Sequence, residues 1–210
     1  MKPSNSAKAD ICMGVVLNAP LILASASPRR AELMRLLGVD FLVLPSGADE
    51  SCLRRESPQA HVRRLSGGKA EAVAARHPES WVLGADTVVA VGREVLGKPE
   101  TPGEAGWMLK KLSGREHAVY TGFTLRRIDA GIAIRRVVTS KVSFRKIPDD
   151  EIAWYVSSRE PYDKAGGYAV QGMAAFFIRE IRGSYTNVMG LPLCEVLDAM
   201  KKAGAVRFEV

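Results

Sequence analysis

The sequence predicts an α/β domain built on a mixed sheet, and three observations carry that expectation. Short apolar runs alternate with helical periodicity through the first half of the chain. The middle reads as one β-hairpin after another, which favours antiparallel additions to a sheet that began with βαβ text. No repeat, low-complexity tract or linker divides the 210 residues.

The run at 21–24 is apolar throughout and reads as a short buried strand. Behind it, Leu33, Leu36 and Leu37 fall at helical spacing. Ser27 suits the cap, Pro28 the first helical position and Gly38 the stop. A second strand is predicted over 41–44, ending at Pro45. A helix follows over 58–76, with Ser57 as cap and Val62, Leu65, Ala72 and Val73 as its apolar stripe. Gly67 and Gly68 weaken its middle. Residues 81–90 read as a strand, Val91, Gly92 and Arg93 as a turn, and 94–96 as the return. Thr101 and Pro102 open a helix that runs to Leu112, where Ser113 and Gly114 stop it.

From His117 to Ile147 the text is β. A strand covers 119–125, Asp129, Ala130 and Gly131 turn the chain, and a longer strand covers 132–144. In it Ser140, Val142 and Phe144 alternate with polar neighbours, as a half-exposed strand requires. Asp149 is expected to cap a short helix through Val156. A glycine-rich stretch at 165–172, an apolar run at 174–178, a turn at 184–187 and a helix over 191–202 complete the order. Residues 1–19 are read as a flexible extension and 20–210 as a single domain. Lys2, Lys8 and the apolar 11–17 are raw material for a signal peptide, but Asp10 and Asn18 interrupt it.

Composition narrows the function. With 47% apolar and 25% charged residues this is ordinary globular composition. No apolar run approaches the roughly 20 residues that span a bilayer, so no membrane partner is expected. Cys12, Cys52 and Cys194 are odd in number, widely spaced and without metal-ligand spacing, which reads as free thiols in a reducing compartment. The net charge of +7 suits nucleic acid, an anionic surface or a small polyanion. The basic residues come as scattered pairs, from Arg29-Arg30 to Arg135-Arg136, rather than as a stripe interleaved with aromatics. A small anionic substrate is therefore expected and nucleic acid is not.

Three groups of residues carry candidate chemistry. In SASPRR at 25–30, two arginines occupy the first turn of a helix, where the unpaired N–H groups already attract anions. A bound phosphate would remove the repulsion they create; a solvated arginine pair is the plain alternative. Asp86 interrupts an apolar strand in GADT at 84–87, where an unpaired carboxylate is costly. It can hold a divalent cation, activate water, or simply pair at a strand end. Asp49 and Glu50 can bring a further carboxylate to the same place. Lys98, between Gly97 and Pro99, and Lys164, before Ala165 and Gly166, sit on turns and suit phosphate as point charges. His61, His77 and His117 form no metal spacing and no triad, and no P-loop is present.

Taken in order, LILASASPRR at 21–30, GADTVV at 84–89, GKP at 97–99, KLSG at 111–114, YTG at 120–122, YDKAG at 162–166 and GLP at 190–192 resemble the Maf family of nucleotide pyrophosphatases. Each motif is short, and the ordered set is specific. The resemblance implies a Maf/Ham1-type fold, with a long twisted mixed sheet flanked by helices and two lobes around a nucleotide cleft. It implies cleavage of nucleoside triphosphates to monophosphate and pyrophosphate with a divalent cation (Mg2+, Mn2+ or Co2+), in the cytoplasm, by a homodimer. Asp86 matches the proton acceptor, Ser25, Arg30, Lys69, Lys98 and Lys164 match phosphate ligands, and Asp86 with Glu50 would hold the metal. In the branch acting on dTTP and UTP, selectivity goes with the residues matching Arg29, Thr87 and Gln171. The branch acting on 7-methyl-GTP has Glu at the last position. A neutral amide offers both a donor and an acceptor to a pyrimidine edge, whereas a carboxylate suits a cationic methylated guanine. A nucleotide-sensing module in division control, hydrolysing only incidentally, is the alternative of another class.

Overall fold

Long runs of Val, Leu, Thr and aromatic residues make three strands that cross the whole molecule, and everything else is hung on them. The computed structural model describes residues 14–51, 53–92 and 94–209. In order these form β1 (Gly14–Leu17), β2 (Leu21–Leu23), α1 (Pro28–Arg35), β3 (Leu42–Val43), α2 (Pro58–Ala74), β4 (Trp81–Val91), β5 (Glu94–Leu96) and α3 (Pro102–Leu112). There follow β6 (Glu116–Arg127), β7 (Ile132–Phe144), α4 (Asp149–Val156), β8 (Ile178–Arg182), α5 (Tyr185–Met189), α6 (Leu193–Lys202) and β9 (Val206–Glu209). The main sheet has the order β3-β2-β4-β6-β7-β8, with β5 added to β4. β2 runs parallel to both β3 and β4, and the remaining pairs are antiparallel, so the expected mixed sheet is present.

The sheet carries separate cores at its two ends. Leu21, Leu23, Leu83 and Ala85 point to one face, against Met34 of α1 and Val196 and Met200 of α6. Ile22, Ala24 and Val82 point to the other face, against Ala70, Val73 and Ala74 of α2. Further along the same strands, Val89, Val119, Val142 and Phe144 pack with Met108 and Leu109 of α3 and with Ile152 and Tyr155 of α4. Between Ala85 in the first core and Val89 in the second lies Asp86, at the cleft between the two lobes.

Helix α2 sets the depth of that cleft. Gly67 and Gly68 were expected to weaken it, yet the helix is continuous across them, and Gly67 lies against the Arg135 side chain. The stripe is also shifted from expectation: Ala72 is exposed, while Ala70, Val73 and Ala74 are buried. α2 lies with its backbone almost on the sheet because β4 and β6 present glycines beneath it. A Cβ added at Gly84 would stand 2.4 Å from the Ser66 carbonyl oxygen, and one at Gly122 would stand 2.3 Å from that of Val62. Gly122 pairs directly with Asp86 across the sheet. The close approach therefore delivers the α2 side chains to the catalytic candidate.

Other differences are local. Gly14–Leu17, assigned to the flexible extension, forms β1 and pairs antiparallel with β9, while 1–13 lies outside the described residues. So do Cys12, Cys52 and the Arg93 of the expected turn. Asp149 is the first residue of α4 rather than its cap, a position taken by Pro148. Ser27 stands at the start of α1 but its side chain makes no capping hydrogen bond. The expected turn at 184–187 is the start of α5, capped by Ser184, whose Oγ accepts from the Asn187 N–H at 3.2 Å.

Candidate active site

The cleft has a volume of about 730 Å³, and its wall includes Ser25, Arg29, Arg30, Glu50, His61, Lys69, Asp86, Thr87, Lys98, Lys164 and Gln171. Every residue matched to a family role thus reaches one cavity, whereas Asp49 does not line it.

At its floor, Asp86 is only 7% exposed and Lys69 only 5%. Lys69 Nζ donates to Asp86 Oδ1 at 2.8 Å and lies 2.9 Å from Glu50 Oε1. One ammonium therefore joins the exposed Glu50 to the buried Asp86, which offsets the cost of burying the latter. Asp49 does not join them. Its carboxylate accepts from the Ser51 N–H at 2.9 Å and shapes the loop instead.

Above this floor the first turn of α1 is threaded into a polar network. Arg30 donates from Nε to the Gly190 carbonyl at 2.8 Å, from Nη1 to Ser25 Oγ at 3.0 Å and from Nη2 to Thr87 Oγ1 at 3.0 Å. Burial draws the Arg30 guanidinium below its ordinary value, against the upward pull of Asp86 and Glu50. Thr87 Oγ1 also lies 2.9 Å from Thr121 Oγ1, so this threonine fixes Arg30 as well as lining the cleft. Arg29 turns the other way and bridges the lobes, its Nη1 donating to Asp163 Oδ2 at 2.9 Å. Lys164 Nζ contacts Asp163 and donates to the Glu160 carbonyl at 2.7 Å. Lys98 is exposed at the rim.

Gln171 sits exposed on the glycine-rich segment, whose shape Glu160 fixes. That carboxylate accepts from the Met173 N–H at 2.8 Å, the Ala174 N–H at 3.2 Å and the Tyr155 hydroxyl at 3.0 Å. Nearby, Tyr168 lines the cleft and its hydroxyl lies 2.7 Å from Nε2 of the buried His117. Burial, with Lys141 adding to it, lowers His117 to about 3. The folded protein thus refuses a proton that the unfolded chain takes up at the ordinary value of 6.5. Stability should therefore decline as pH falls from 6.5 toward 3, by up to ~1.4 kcal/mol per pH unit for this group. Urea midpoints measured between neutral pH and about pH 5, above the usual carboxylate range, should show that slope in the native chain and a flatter one in His117→Phe.

One member of the site was not foreseen. The His61 Nε2 faces Asp86 Oδ2 at 4.0 Å, and its Nδ1 lies 3.1 Å from Glu56 Oε2. Arg64 grips that carboxylate from behind with two hydrogen bonds, at 2.8 and 2.7 Å, and these hold Glu56 down at about 2. Sequence spacing held the clue: His61, Leu65 and Lys69 recur every four residues and share one face of α2.

Fold and cleft together define a two-lobed α/β protein whose cleft gathers arginines and lysines beside a paired carboxylate. The chain belongs to the Maf family, whose profile, described as Maf-like protein, matches residues 20–203. A dTTP/UTP pyrophosphatase of Syntrophus aciditrophicus is 64% identical over 193 residues, 92% of this chain and 94% of that protein. One from Geobacter sp. (strain M21) is 48% identical over 90% of this chain and 98% of its own, and one from Myxococcus xanthus is 47% identical over 88% and 92%. Among solved structures, a HAM1 protein from Coxiella burnetii aligns at a TM-score of 0.49 and 14% identity, covering 88% of this chain and 99% of its own.

Proposed function

We propose that this chain hydrolyses dTTP and UTP to the monophosphate and pyrophosphate in the cleft between its lobes. The observation that carries the reading is Asp86, held by Lys69 at Oδ1 and facing a cleft that Arg30, Lys98 and Lys164 also line. The names of the relatives support the substrate.

Asp86 Oδ2 is the oxygen available to take a proton from water. The water oxygen then bonds to the α-phosphorus, the bridging P–O bond opens, and its electron pair leaves on pyrophosphate. Ser25, Arg30, Lys69, Lys98 and Lys164 bind the triphosphate and stabilise charge gathering on the leaving group. Lys98 is exposed at the mouth, Lys164 lines the wall, and Arg30 is anchored by Ser25, Thr87 and Gly190. Arg29, Thr87 and Gln171 determine selectivity for the base.

A divalent cation, Mg2+, Mn2+ or Co2+, fits this donor set. Among the described residues no three His, Cys, Asp or Glu side chains converge on a cation site. Asp86 and Glu50 would hold it with phosphate oxygens and water completing the shell, as such ions prefer. When bound it supplies charge neutralisation and polarisation of the phosphorus. Among the described residues no helix is long and apolar enough to cross a membrane. Cytoplasmic residence accords with the free thiol of Cys194. The homodimer, testable by sedimentation, belongs to the same reading.

The test is pyrophosphate release with Mg2+ or Mn2+ across UTP, dTTP, CTP, GTP and 7-methyl-GTP. Release is expected chiefly from UTP and dTTP, and Gln171→Glu should move activity toward 7-methyl-GTP, by about tenfold for one polar contact to the base. Release from 7-methyl-GTP alone would reject the pyrimidine assignment, and release from none would reject the reaction.

A further inference from the structure

We propose that His61 gives the active-site cation a nitrogen ligand from this chain, beside Asp86, and so favours Mn2+ or Co2+ over Mg2+. The inference rests on the pyrophosphatase reading and puts His61 beside Asp86 in place of Glu50, which is exposed and paired with Lys69.

The imidazole is 8% exposed and lines the cleft, with Nε2 aimed at Asp86 Oδ2 across 4.0 Å. The other Asp86 oxygen is taken by Lys69, so Oδ2 and Nε2 are the two atoms left facing each other over the floor. On the far side Nδ1 meets Glu56 Oε2 at 3.1 Å. Arg64 Nη2, at 3.5 Å, is further from Nδ1 and already donates at 2.7 Å to that same oxygen. The closer carboxylate therefore takes the Nδ1 hydrogen, and the lone pair is assigned to Nε2 from this network. A ligating histidine ordinarily donates its other ring N–H to a carboxylate, which fixes the ring and raises its basicity. Here the whole arrangement is built: Arg64 holds Glu56, and Glu56 holds His61.

The position on α2 explains why the ring cannot turn away. The glycines at 84 and 122 seat the helix on the sheet, and His61 and Lys69 come down on either side of Leu65 toward the same carboxylate. With Asp86, His61 and phosphate oxygens the cation meets one nitrogen among oxygens. Imidazole suits transition ions more than Mg2+, and affinity at such a site rises from Mn2+ to Co2+.

The test uses the full chain with Mn2+ and α,β-methylene-UTP, which presents the phosphates without a cleavable bond. Electron spin-echo spectra of the bound Mn2+ should carry a 14N coupling, replaced by 15N when the protein is labelled with [15N]histidine. His61→Leu should lose the coupling and bind Mn2+ at least about tenfold more weakly, with little change for Mg2+. Glu56→Gln should keep the coupling while weakening Mn2+ about 10- to 100-fold. If a variant fails to fold, the labelling of the native chain decides alone. Bound Mn2+ without histidine nitrogen overturns this assignment and leaves the pyrophosphatase reading standing if pyrophosphate is still released. Failure of Mn2+ to bind even with the nucleotide overturns the assignment and the metal-dependent reading together.

Discussion

Asp86→Asn is expected to lower kcat by about 10²- to 10⁴-fold while leaving nucleotide binding measurable. The amide has the shape of the carboxylate, and its oxygen can still accept from Lys69 where Oδ1 does now. What it cannot do is take a proton from water. The atom facing the cleft would be an NH2 group or an uncharged oxygen instead of a carboxylate oxygen. Binding should suffer less, because among the residues assigned to the phosphates Lys69 alone is hydrogen-bonded to Asp86. Arg30 is fixed by Ser25, Thr87 and Gly190, Lys164 by the Glu160 carbonyl, and Lys98 is exposed at the rim. Without added cation the variant should bind a triphosphate at least as well as the native chain, since one carboxylate no longer repels it. Steady-state kinetics with UTP and calorimetry on the same preparation separate these effects. A variant turning over at the native rate would remove Asp86 from proton transfer.

The parts of this molecule that were legible in the sequence are those written in local pattern. Buried strands read as apolar runs, helix starts read as Ser-Pro or Thr-Pro, and the odd carboxylate at Asp86 announced itself by its setting. What escaped depended on distance along the chain. β1 is half-buried throughout, β9 is exposed except at Val206, and the two pair across nearly the whole sequence, so neither carries enough apolar periodicity to be recognised alone. His61 had no partner within metal or triad spacing. Its partners are a loop carboxylate at 56 and a strand carboxylate at 86, united only by folding. Gly67 and Gly68 misled in the opposite direction. Helix propensity counts against them by about 1 kcal/mol each, and burial of one face of α2 on the sheet outweighs it.

That packing gives the second large effect. Gly122→Ala should destabilise the fold by about 3 kcal/mol, near the upper end for overpacking. For a chain of this size the melting temperature should drop by roughly 6–12 °C. The reason is that the new methyl would meet backbone: the Val62 carbonyl oxygen at 2.3 Å, its carbon at 2.5 Å and the Arg63 nitrogen at 3.0 Å. No side chain can rotate aside there, so α2 must lift. The strand cannot yield instead, because β6 is paired along its length with β4 on one side and β7 on the other. Lifting α2 moves His61 and Lys69 away from Asp86, which lies directly across the sheet from Gly122. The folded fraction of the variant should therefore show reduced kcat at temperatures well below its melting point. Gly68→Ala supplies the contrast, since nothing lies within 4 Å of a Cβ there. It should raise stability by about 0.5–1 kcal/mol through helix propensity and leave turnover unchanged. Equal melting temperatures for the two variants would mean that the glycines beneath α2 do not set its depth.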